Sequence, residues 1–193
     1  MAVGFTVDIS QVVEGLNKKN ENAKKVLQRT ISDMRSRAPG WISQAVREEY
    51  SISAKDIKST LSIGKEGSIN LGGMTVDNVT LTYRGKRLTT THFNQKPKTR
   101  PASGKPYQVT ADIKKTRKIL SGRAFLMKGN VSDGSVAVMR TGQSRYPIKT
   151  IRTLSVAQMI ETGSGTKPRI EQVINENLEK RFENHCKQLL DKA

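Results

Sequence analysis

The chain has 193 residues, 35% hydrophobic, 5% aromatic and 26% charged, with 34 Lys or Arg against 17 Asp or Glu and a formal net charge of +17. That length permits one domain with a sizeable core, but the thin apolar content predicts a modest core, with surfaces that are polar, extended or completed by neighbouring subunits. The single cysteine, Cys186, excludes an intrachain disulfide, and no stretch approaches the roughly 20 apolar residues that span a bilayer, so a soluble protein of a reducing cytoplasm is expected, with nucleic acid or acidic protein surfaces as partners for its charge.

The opening MAVGFTVDIS lacks a basic region followed by an apolar run, so no secretory leader is expected. Ser10 can cap a short helix in which Val12, Val13 and Leu16 share one face. A second helix is predicted from about Asn20, where Ala23, Val26, Leu27, Thr30, Ile31 and Met34 recur at helical spacing. Pro39-Gly40 interrupts this pattern and Trp41, Ile42, Ala45 and Val46 resume it, which predicts a break or a kink in one long helix. Ser53 and Asp56 have the spacing of a variant capping box for a further helix over 54–61.

From Ile63 the period changes, and the runs 69–71, 76–83 and 88–93 read as strands of a meander. The glycines of GKEGSINLGG, 64–73, are expected in turns, because they lack the Lys-Ser/Thr ending of a phosphate loop. Residues 94–106, NQKPKTRPASGKP, carry three prolines, four cations and almost nothing apolar, and so predict an extended arm without a core-facing side. Tyr107, Val109, Ala111 and Ile113 then alternate as one strand face.

Residues 124–127 and 136–139 are two short apolar runs separated by Gly129-Asn130 and Asp133-Gly134, the pattern of a β-hairpin. Pro147 cannot donate to a ladder and biases Tyr146 towards extended backbone, which takes the chain out of the sheet towards a helix over about 154–161. Gly163-Ser164-Gly165 reads as a hinge. The stripe Ile170, Val173, Ile174, Leu178, Phe182, Cys186, Leu189 and Leu190 predicts a long final helix with one buried face, packed on the chain's own sheet or first long helix, or alternatively on a neighbouring subunit. Together these elements predict a single α+β domain over 1–193, a small antiparallel sheet curled towards a barrel or sandwich and flanked by long N- and C-terminal helices.

The order Arg-Ala-Phe, Val-x-Val-Met-Arg, Ser-Arg-Tyr-Pro-Ile and Ser-Val-x-Gln-Met within 121–159 resembles the phage and prophage minor tail protein Z family. The residues carrying it are Phe125, Arg140, Arg145, Tyr146, Pro147, Ile148, Ser155, Val156, Gln158 and Met159, and the likeness extends more weakly to the N-terminal helical region and to the helix after Lys167. One departure is Thr153-Leu154, where such proteins favour Gly-Pro. The resemblance implies a tail-completion or neck subunit, structural and not enzymatic, working as a ring that is sixfold by analogy. It implies tube, sheath or terminator proteins and a head-tail connector as partners, and a path from host cytoplasm to virion or tail-like particle.

Candidate chemistry is sparse. His92 and His185 are the only histidines, and Cys186 beside His185 points about 100° away from it on a helix, so neither a metal site nor a cofactor is expected. There is no Gly-x-Ser-x-Gly elbow and no paired acids in a glycine-rich pocket, which leaves a hydrolase or nuclease without its residues. Basic residues are the remaining candidates. Residues 84–128 hold 13 Lys or Arg against one acid, Asp112, a net +12. Arg84, Lys86 and Arg87 are read as a hairpin tip that meets polyanions or solvent, and Lys96, Lys98, Arg100 and Lys105 as an arm that reaches a neighbouring subunit or a DNA backbone. For 145–148 the structural reading buries Tyr146 and Ile148 at a corner fixed by Pro147. The functional alternative gives Arg145 and residues 155–159 a contact to the next ring component. A cytoplasmic nucleic-acid-binding protein using the basic centre is the rival to the tail reading.

Overall fold

In the computed structural model, the described residues are 2–7, 21–71, 74–102, 106–115, 117–120, 122–128 and 135–189. The expected helix around Val12, Val13 and Leu16, the loop residue Lys105, the hairpin turn 129–134 and Leu190 lie outside them. The architecture is α+β, with long helices near both ends, as the hydrophobic periods predict.

The helix expected from Asn20 is α1, Glu21–Glu49, about 43 Å long at 1.5 Å per residue. It runs through Pro39 without a break. A proline inside a helix costs about 3 kcal/mol, but the turns beyond it bury Ile42, Val46 and Tyr50 completely or almost so, at about 1.5–3 kcal/mol for each large side chain. Burial outweighs the lost hydrogen bond. The short helix α2, Ala54–Ser59, is capped by Ser53, whose Oγ accepts from the Asp56 amide at 3.1 Å and donates to the Asp56 carboxylate at 2.6 Å.

Three strands form the first sheet in the order β1-β3-β2: β1 (Val3–Val7), β2 (Leu61–Leu71) and β3 (Met74–Tyr83). The sequence period did not single out β1, although Val3, Phe5 and Val7 alternate and are all buried. It pairs antiparallel with Val79 to Tyr83, so the β2–β3 hairpin continues beyond β1 as a two-stranded ribbon. Gly64 lies within β2 and not in a turn, and the register shifts between Lys65 and Ser68, around Gly67. Helix α1 packs on β3, while α3 (Val156–Thr162) and α4 (Thr166–Leu189) pack on β1. Ile170, Ile174 and Leu178 of α4 join Leu27, Met34 and Ile42 of α1 in the main core, with Phe182 against it. The final helix therefore packs on its own first helix.

The rest of the β structure is separate. A two-stranded ribbon pairs β4 (Thr110–Asp112) with β5 (Arg117–Ile119), and a second three-stranded sheet has the order β6-β7-β8: β6 (Ala124–Lys128), β7 (Ser135–Arg140) and β8 (Ile148–Thr150). Val109, Ala124, Leu126 and Ala137 form a small second core, and Leu120 touches both cores. No closed barrel forms among the described residues, because the two sheets and the ribbon do not pair with one another.

Two segments depart from expectation. Residues 88–93 are not a strand: Thr89 makes one bridge with Arg152, and Thr90–His92 is a single 3-10 turn. The root of the 94–106 arm is fixed to its own fold. Lys96 and Thr110 exchange both backbone hydrogen bonds, at 2.9 and 2.8 Å. Gln95, 4% exposed, accepts from the Thr90 hydroxyl at 2.5 Å and donates to the Ser135 carbonyl at 2.9 Å. The Lys98 carbonyl also accepts from the Ser135 amide at 3.4 Å, while the Lys98 and Arg100 side chains are exposed. Gln95→Ala is expected to cost about 1–3 kcal/mol, because it leaves two buried polar groups unpaired. Thermal melting against a Lys98→Ala control, with an expected change under about 0.5 kcal/mol, measures it.

Glu49 gathers three parts of the chain. Its carboxylate meets Lys114 Nζ at 2.9 Å and accepts from the Thr166 hydroxyl at 3.0 Å and the Ser164 amide at 3.1 Å. The hydrogen bond from Lys114 foremost holds the Glu49 carboxyl below the ordinary value, against a smaller opposing effect of burial. Residues 163–165 are thus a pinned corner and not a free hinge. A Cβ on Gly163 would lie 2.8 Å from the Glu49 carboxylate and 2.7 Å from the Met159 carbonyl, so glycine is there for space.

Candidate functional site

The positive charge has a place in this fold. Residues 84–152 hold 17 Lys or Arg against two acids, Asp112 and Asp133, a net +15 out of the chain's +17. They build the ribbon and the second sheet. The long helices are nearly neutral and carry ion pairs between Arg169 and Glu48 and, at 3.7 Å, between Arg181 and Asp33. The β-rich half is therefore the electrostatic face of the molecule.

Within that half, the two sides of the second sheet differ. Ala124, Leu126 and Ala137 face the small core. Antiparallel pairing puts directly opposed residues on one side, and Phe125↔Val138, Met127↔Val136, Val138↔Thr150 and Arg140↔Ile148 make up the other. That side is mostly apolar. Val138 at its centre is buried, Phe125, Val136 and Ile148 are half-buried, and Met127 is 48% exposed. The Arg140 guanidinium lies over the Phe125 ring at 5.5 Å. Three residues of the sequence motif, Phe125, Arg140 and Ile148, are thereby brought to one face.

The corner differs from its expected form. Pro147 does not send the chain out of the sheet: residues 148–150 turn back and pair with β7 as a third strand. Tyr146 is not buried but 65% exposed, with Arg145 over its ring at 5.8 Å. Pro147 is exposed and Ile148 only half-buried, where β8 is the sheet edge and pairs only with β7 among the described residues. The adjoining motif Ser155 to Met159 lies elsewhere, in the main core. Ser155 caps α3 in a reciprocal box with Gln158, and Val156 and Met159 are fully buried.

The other basic candidates scatter. Arg84, Lys86 and Arg87 are exposed on an irregular connection after β3, not on a hairpin tip. Its course is fixed by backbone bonds from Arg84 to Thr60 and between Leu88 and residues 153 and 154. Lys96 is exposed beside its backbone bridge to Thr110, Lys98 and Arg100 follow it outward, and Lys105 lies outside the described residues.

Two features were not legible in the sequence. Asp56 meets His92 Nδ1 at 2.9 Å across 36 positions, on the wall of a cleft of about 780 Å³ that Arg47, Asn94 and Lys115 also line. Such a pair orients an imidazole, which is one part of acid–base chemistry, but no cluster of three metal-ligating side chains forms among the described residues. The second is a pocket of about 490 Å³ at the seam between the two cores, with Arg87, Lys114, Lys118 and Arg152 around an aliphatic floor. Lys114 and Lys118 come from the basic run 114–118, and Arg87 and Arg152 join them only through the fold. Among the described residues, no helix is long and apolar enough to cross a membrane. No family model, curated protein or solved structure matches the chain.

Proposed function

We propose that this protein is a structural subunit of the head-proximal end of a phage tail or tail-like particle, assembling as a ring, sixfold by analogy, that completes the tail. The observation that carries the reading is the exposure of Met127 and Tyr146 at one side of the second sheet. Around a buried Val138 and half-buried Phe125, Val136 and Ile148, this side exposes Met127 beside Tyr146 and Arg145, and β8 pairs only with β7 among the described residues. Exposed apolar side chains mark contact surfaces, and the resemblance to the minor tail protein Z family falls in part on this region, at Phe125, Arg145, Tyr146 and Ile148. The β2–β3 ribbon beyond β1 and the exposed Lys98 and Arg100 suit contacts between ring neighbours. In this reading the protein acts in the host cytoplasm and then in the particle, between tube, sheath or terminator proteins and a connector, and it catalyses no reaction.

The net +15 of residues 84–152 favours one rival, a nucleic-acid-binding protein. The double variant Met127→Ser, Tyr146→Ser separates the two. Both side chains are exposed, so melting is expected to shift by less than about 1 kcal/mol while incorporation into particles falls at least tenfold. Full incorporation of the variant, together with tight, salt-dependent duplex binding by the parent, favours the rival.

A further inference from the structure

We infer that the pocket at the seam between the two cores binds a short peptide segment of a neighbouring protein, one that places carboxylates around an aliphatic side chain. The pocket, about 490 Å³, is within the size range of ligand sites and lies where two packed units meet, a common position for them. Arg87, Lys118 and Arg152 are exposed at its rim, and no acidic residue lines it among the described residues. Lys114 is engaged with Glu49, and the Arg152 guanidinium donates to the Arg87 carbonyl at 3.5 Å. The rim therefore selects anions. Its floor is different chemistry: Ile113, Leu120, Ile151 and Leu154 are half-buried aliphatic side chains.

The floor decides between anionic partners. Single-stranded nucleic acid gains by stacking bases on aromatic rings, and no aromatic residue lines this pocket among the described residues. Duplex phosphates would meet the rim and leave the aliphatic floor uncovered. A peptide with two or more Asp or Glu about a Leu or Ile satisfies both, pairing with Arg and Lys while its aliphatic side chain covers the floor. The inference rests on the assembly reading only in taking the partner to be a neighbouring particle protein; the binding is a property of the isolated chain.

The test is an array of octapeptides permuting Asp, Glu, Leu, Ile and Ser, probed with the full chain beside a labelled 20-base-pair duplex. Spots carrying acids and an aliphatic residue are expected to bind at least tenfold more tightly than spots with the same acids and Ser alone, the scale of one apolar group in a pocket. The Arg87→Glu, Lys118→Glu double variant, melting like the parent, is expected to lose at least tenfold on those spots. A charge-matched control on the arm, Lys98→Glu, Arg100→Glu, is expected to stay within twofold. Spots that rank by acid count alone, equal losses in both double variants, or a duplex that outcompetes every peptide would each overturn the inference. A failed array alongside particles that require the protein removes the pocket and leaves the assembly reading; a positive array with particles indifferent to the protein does the reverse.

Discussion

Replacing Phe5 by Ala is expected to cost about 3–5 kcal/mol, a large part of the 5–15 kcal/mol that holds a typical domain together. Phe5 is 5% exposed in the middle of β1, opposite Leu81, and its ring fills the layer between the first sheet and the helices. Truncation removes the buried surface and leaves a cavity that closes only if the helices packed on β1 shift towards it. Thr6 on the same strand points outward, so Thr6→Ala is expected to change stability by less than about 0.5 kcal/mol. Melting of the two variants side by side decides the matter: a fall of roughly 10 °C for Phe5→Ala is expected, and equal melting would mean that β1 does not pair with β3.

Gly163→Ala is expected to cost about 3 kcal/mol, at the upper end for overpacking. The added carbon cannot be accommodated by rotating one side chain, because it meets the Met159 carbonyl as well as the Glu49 carboxylate and the Thr166 hydroxyl. Displacing the carboxylate also breaks its contacts to Lys114, Thr166 and Ser164. Combining Gly163→Ala with Glu49→Ala is therefore expected to cost less than the sum of the two single changes. Strict additivity would show that Glu49 is not what the glycine makes room for. The same carboxylate has a pH signature. Because the folded protein holds Glu49 below its ordinary value of 4.5, its contribution is fully present above that value and is lost as the pH falls through the lowered one. The melting difference between the parent and Glu49→Gln is expected to be constant near neutral pH and to shrink below pH 4.5.

What the sequence reveals in advance is what repeats locally. The stripes of α1 and α4, the β6–β7 hairpin and the cap Ser53 are all patterns within a few residues of themselves. What it conceals is pairing over distance. Strand β1 is five residues including a glycine, and its partner lies more than 70 positions away. Gln95 reads as part of a polar loop until Ser135, 40 positions on, supplies its acceptor. Strand β8 follows a proline that announces an exit from the sheet, and it forms because β7 offers an open edge. The candidate face was half legible: Phe125, Arg140 and Ile148 stood out as a motif, whereas Met127, Val136 and Val138 became part of one surface only through the register. The basic character of the middle was plain, but its arrangement around an aliphatic seam depends on Leu120 and Leu154 meeting from different elements.

The most direct measurement for the assembly reading is negative-stain electron microscopy of particles from a strain carrying an in-frame deletion of the coding sequence, beside the same strain complemented in trans. The account predicts tails that are unjoined, unterminated or of irregular length, restored to the parental form by the complementing copy. Parental numbers of complete particles of normal length without the protein would contradict it.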